Sequence, residues 1–154
     1  MTERHDFPQP DPLFVLAYVW HVGPLIVGVG HCRVIEYEHQ NGPEGAERVV
    51  VPEALARLID DPAAWWWNGD TAVPRESSGI DASGAMVAAN GADEVAITGI
   101  PPGARLWISG TMNIRDLAVD DDHLALTTTQ PGLMRVRIVC PPPYLTWEHD
   151  IHAT

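Results

Sequence analysis

Charge is scarce in this chain, and positive charge scarcest. Charged residues make up 19% of the 154 positions, with nine Lys+Arg against 21 Asp+Glu and a formal net charge of -12. Phosphate backbones are held by clusters of Lys and Arg, and no such cluster is present, so nucleic acid is not an expected partner. The acidity fits a particle component or a surface that avoids anionic membranes, and it also fits plain solubility. Cysteine is nearly absent. Cys32 and Cys140 are too few for a disulfide framework, and their pairing stays open. Free, partly buried thiols, as in a reducing cytosol, are the expectation.

Signatures of chemistry are missing as well. His21, His31, His39, His123, His149 and His152 have no HExxH or CxxC context, so no metal is expected. Asp120-Asp121-Asp122 before His123 lacks the spacing and glycine of a calcium loop and reads as a solvated acidic turn. Ser77, Ser78, Ser83 and Ser109 lie outside any G-x-S-x-G, and there is no phosphate loop. The expectation is a protein that is not an enzyme, with no catalytic residues and no cofactor.

Long apolar runs are limited to residues 13–29, LFVLAYVWHVGPLIVGV. A spanning helix needs roughly twenty apolar residues. This run is interrupted by His21 and broken by Gly23-Pro24, and Asp6 and Asp11 stand where a signal peptide would carry basic charge. No membrane span is expected. Residues 13–22 and 25–29, rich in Val, Ile and aromatics, read instead as two β segments about a Gly-Pro turn. Ahead of them, residues 1–12 are polar and proline-studded and predict an extended arm.

What is present is β periodicity. From residue 95 to 151 short runs alternate apolar with polar residues between turn signals, the pattern of half-buried antiparallel strands. Val95 and Ile97 share a face, as do Leu106 with Ile108, Leu124 with Leu126, and Met134 with Val136 and Ile138. Leu145, Trp147 and Ile151 complete the series. Pro101-Pro102-Gly103-Ala104 has proline and glycine where a type II turn wants them, and Gln130-Pro131-Gly132 punctuates a later junction. About six strands in some sixty residues with no helical period predict a small β-sandwich.

Upstream, RVIEYEH at 33–39 reads as a further strand, and 48–51 as a short β-branched run. PEALARLIDD begins at Pro52 and stops at Pro62, the one convincing helix, with Leu55, Leu58 and Ile59 on its docking face. In AWWWNGDTAVPR, Asn68-Gly69 between β-prone runs predicts a type I′ hairpin. Trp65 and Trp67 then point one way and Trp66 the other, so at least one indole is exposed. Residues 76–93, small, polar and glycine-rich, read as a linker.

The fold class is therefore mainly β. An arm at 1–12 is followed by a β-rich unit at 13–75 with one short helix and a tryptophan hairpin, a linker at 76–93, and a sandwich at 94–154. The site residues are Trp65, Trp66, Trp67 and Asp70. Tryptophan buries large area and is enriched at protein interfaces, which favours core or subunit contact. Indoles beside an aspartate also suit stacking on a sugar ring, and that gives the alternative, a module that binds host-surface glycan.

The stretches GIPPGARLWISG, LALTTTQPGLMRVRIV and PYLTWEHDI resemble PEGA-type, immunoglobulin-like modules. More narrowly, and together with GVGHCRVIEYEHQ and WWWNGDTAVPR upstream, the chain is similar to small tail or tail-fibre proteins of tailed bacteriophages. The resemblance covers most of the chain and includes no catalytic motif. It implies an immunoglobulin-like C-terminal sandwich and a structural virion protein, assembled in the host cytoplasm, whose partners are other tail subunits in an oligomeric assembly.

Overall fold

The computed structural model describes residues 15–154, so the expected arm at 1–12 and the first residues of the following strand lie outside the described residues. The chain is mainly β and divides into two compact units, the boundary falling between Pro74 and Arg75.

The N-terminal unit is a five-stranded antiparallel sheet in the order β3-β1-β2-β4-β5. Strands β1 (Val15–Val22) and β2 (Leu25–Arg33) form the expected hairpin about Gly23-Pro24. Strand β3 (Glu47–Val51) pairs with β1, and the short β4 (Trp65–Trp67) and β5 (Ala72–Pro74) extend the other edge. Helix α1 (Glu53–Leu58) follows β3.

Alternation along β1 divides the sheet into two faces. Ala17 and Val19 join Ile26, Val51, Trp67 and Ala72 in a core with Ala56 and Ile59, which docks the helix region. Leu58, expected on the docking face, is 64% exposed. The helix ends at that residue, and the other two residues expected on that face, Leu55 and Ile59, do lie against the core. Tyr18 and Trp20 look the other way. Beside Tyr18 the paired residue is Gly30, where an added Cβ would stand 2.5 Å from the phenol ring. A glycine is needed there because the ring lies flat across the strand.

The expected strand at 33–39 is instead a 3-10 helix, Val34–His39. It supplies Tyr37, whose ring packs edge-on to Tyr18, and both flank the Arg48 guanidinium, 3.6 Å from the Tyr37 ring centroid. Arg48 also donates to the backbone carbonyls of Tyr37 and Gln40. Those cation–π contacts and hydrogen bonds satisfy a curled segment better than an open-edged strand could.

The C-terminal unit is sandwich-like, two sheets on one core. The larger has the order β10-β9-β12-β13-β7 and the smaller β11-β8-β6. Their strands are β6 (Asp81–Ala82), β7 (Met86–Val87), β8 (Val95–Thr98), β9 (Arg105–Gly110), β10 (Ile114–Ala118), β11 (His123–Leu126), β12 (Gly132–Val139) and β13 (Trp147–Ala153). Ile97, Met134, Val136, Ile138 and Ile151 are each 0% exposed, so the apolar face read from alternation is the core face. Between β8 and β9, Gly103 has φ 81° and the Ala104 N–H donates to the Pro101 carbonyl. That is the type II turn, and only glycine takes its third position without strain.

Residues 76–93 are not a linker. Within them β6 pairs with β8, β7 pairs in parallel with β13, and Ile80 and Val87 enter the core. Glycines and serines there make the turns between two very short strands, and two-residue strands carry no readable period.

Candidate functional site

The tryptophan hairpin forms, but its turn is not type I′. Trp65 pairs with Pro74, Trp66 with Val73 and Trp67 with Ala72, leaving Asn68-Gly69-Asp70-Thr71 as a four-residue loop. Gly69 has φ 102°, while Asn68 is not in the left-handed region. The Asn68 carboxamide oxygen accepts from the Asp70 and Thr71 N–H groups at 3.0 and 2.9 Å. That Asx arrangement replaces a second positive φ. Asp70 is exposed at the loop tip.

The indoles separate as their alternation requires. Trp67 is 8% exposed and stacks on the His21 ring, centroids 4.8 Å apart. Trp65 is half-buried against the same core. Trp66 is half-buried on the opposite face, so the three rings do not make one platform.

Around Trp66 the register builds an apolar row. Val22 stands across from Leu25, Leu25 across from Trp66, and Trp66 across from Val73. Their neighbours Ile26, Trp67 and Ala72 are in the core, so this row lies on the other face of four adjacent strands. Val22 is 40% and Leu25 44% exposed. The tryptophans were legible in the sequence; the row was not, because its members come from four strands whose register no local pattern specifies.

Elsewhere the chemistry is muted. Among the described residues no group of three His, Cys, Asp or Glu is placed to hold a metal ion, and no helix is long and apolar enough to cross a membrane. His123 Nδ1 lies 3.1 Å from Asp122 on the exposed acidic turn. Cys32 and Cys140 are both free and buried. Burial pushes the Cys140 thiol up from its ordinary range, against hydrogen bonding from Ser78 and the nearby Arg75. Burial also raises Tyr18 and lowers Arg75. No protein-family model, curated protein or solved structure matches the chain.

Proposed function

We propose that this chain is a non-enzymatic structural protein of a tailed-bacteriophage virion, a tail or tail-fibre component that acts through protein–protein contacts. The phage assignment rests on the sequence resemblance. The contact role rests on the row Val22–Leu25–Trp66–Val73, an apolar strip on a sheet face, of the kind that marks association sites. The C-terminal topology supports the immunoglobulin-like reading. β8 lies in one sheet, β9 and β10 in the other, β11 returns to the first, and β12 and β13 to the second. That alternation between sheets resembles the strand order of immunoglobulin-like sandwiches, with one strand fewer in the smaller sheet.

Two measurements test the proposal. Purified particles from the genome that encodes the chain should contain it at a structural copy number, and its absence from them overturns the virion reading. Sedimentation velocity on the isolated protein should show self-association, or association with a neighbouring tail subunit, that Trp66→Ala or Leu25→Glu weakens roughly tenfold or more. A monomer that ignores tail subunits, or association indifferent to both substitutions, removes the row from the argument.

A further inference from the structure

The outer face of the larger C-terminal sheet carries a concave feature. Four of the chain's nine basic residues, Arg105, Arg115, Arg135 and Arg137, fall on β9, β10 and β12, in a chain whose formal charge is -12. Between these strands lies a cleft of about 320 Å³, lined by Trp107, Ser109, Asn113, Arg115, Arg137 and Glu148, with Arg135 beside them.

Its shape has a backbone cause. Trp107 stands across from Arg137, and Ser109 across from Arg135, so all four project from the solvent face. On the other flank the β9–β10 register shifts between Ile114 and Leu117. Asp116 within that bulge has φ 55° and its carboxylate holds the Arg105 guanidinium. A bulge re-aims side chains and locally parts the strands. Here the bulge lies beside the cleft, and Asn113 and Arg115 are among the residues that line it.

The polar groups are of mixed sense. Arg135 meets Asp150 at 3.2 Å and Arg137 meets Glu148 at 3.4 Å, each through Nε. A guanidinium has five N–H donors, so each pair leaves donors over. Arg115 is exposed and has no ion pair among the described residues. The cleft thus offers an excess of cationic donors, a carboxylate acceptor in Glu148, groups in Ser109 and Asn113 that both donate and accept, and one indole.

We infer that this cleft binds a carboxylate-bearing monosaccharide unit, a uronic-acid type of residue. The ring lies on Trp107, and Arg115 with Arg135 takes the carboxylate. Hydroxyls need acceptors as well as donors, and Glu148, Asn113 and Ser109 supply them; an acidic peptide would have no use for Glu148. Guanidinium–carboxylate pairing supplies the selection for the acid over its neutral counterpart. This site is separate from the tryptophan hairpin and does not rest on the assembly reading.

The test is an NMR titration of the whole protein with glucuronic acid, glucose, acetate and tri-aspartate. The Trp107 indole N–H is assigned through Trp107→Phe. Glucuronic acid should shift that signal saturably, with affinity about tenfold above that for glucose. Arg115→Ala, on an exposed edge strand, should abolish most of that preference and leave the rest of the spectrum in place. Equal responses to glucuronic acid and glucose overturn the inference, as does a preference that survives Arg115→Ala. Acetate or tri-aspartate acting as well as the sugar acid overturns it too, and tri-aspartate would then mark an acidic-peptide site.

Discussion

The two units bury their apolar residues in different ways. The C-terminal core is enclosed between two sheets, and Ile97, Met134, Val136, Ile138 and Ile151 have no exposure. The N-terminal unit has a single sheet, with a small core on one face and the Arg48 cluster with its covering 3-10 turn on the other. Among its described residues Val19 is the one core residue with no exposure, and Val15, Val22, Leu25, Val27 and Val50 are each at least 40% exposed. Two facing sheets satisfy each other's apolar sides, whereas one sheet needs covers of another kind. Of the large apolar side chains left exposed among the described residues, six lie in the N-terminal unit and three, Met86, Leu117 and Leu145, in the C-terminal one.

The most disruptive way to test this contrast is within one hairpin. Trp67→Ala should cost about 3–5 kcal/mol through the lost ring and its cavity, read as lost amide protection across 15–74 by hydrogen exchange. Trp66→Ala, on the open face, should cost well under half as much. Comparable losses would mean that both faces of the sheet are core.

A smaller effect is expected at the aromatic cover. Gly30→Ala sets a methyl 2.5 Å from the Tyr18 ring, and such overpacking costs about 1–3 kcal/mol, measured as a lower denaturation midpoint. No change would show that Tyr18 swings clear and that the cover is loose.

The smallest is a matter of sign. The raised Cys140 pKa means that the folded state holds the thiol proton more tightly than the unfolded chain does. Its contribution to stability is therefore fully present below the ordinary thiol range and is lost as pH rises through the folded value. Denaturant midpoints of the C-terminal unit should fall on the alkaline side, less so in Cys140→Ala. An equal fall in both would place the effect elsewhere.

Legibility followed the same division. In the C-terminal unit, period-two alternation exposed β8, β9, β11, β12 and β13, because each turns one face toward the core and the other toward solvent. Strand β10 escaped, since Arg115, Asp116, Leu117 and Ala118 are all exposed on an edge and burial impresses no alternation there. The pairings of β6 and β7 are two residues long and looked like linker. Upstream, the 3-10 turn at 34–39 passed for a strand because Val34 and Tyr37 suit either form, and Arg48, which decides between them, lies well along the chain. The cleft over Trp107 was invisible for a related reason. It depends on a bulge in β10 and on side chains from β9, β12 and β13, which local sequence does not bring together.

The parallel pairing of β7 with β13 has a mechanical consequence. The C-terminal unit begins at Arg75, with β6 ahead of β7, and β7 and β13 run the same way. His152 donates to Ala85, Thr154 donates to Val87, and Ala89 donates to Thr154, at 2.8, 3.0 and 2.8 Å. A pull applied between residue 85, at the head of β7, and residue 154 would slide these strands lengthwise past each other. The three bonds would then bear the load together and yield at once, where a peeling geometry would let them go singly. Such a pair resists lengthwise tension as a clasp does.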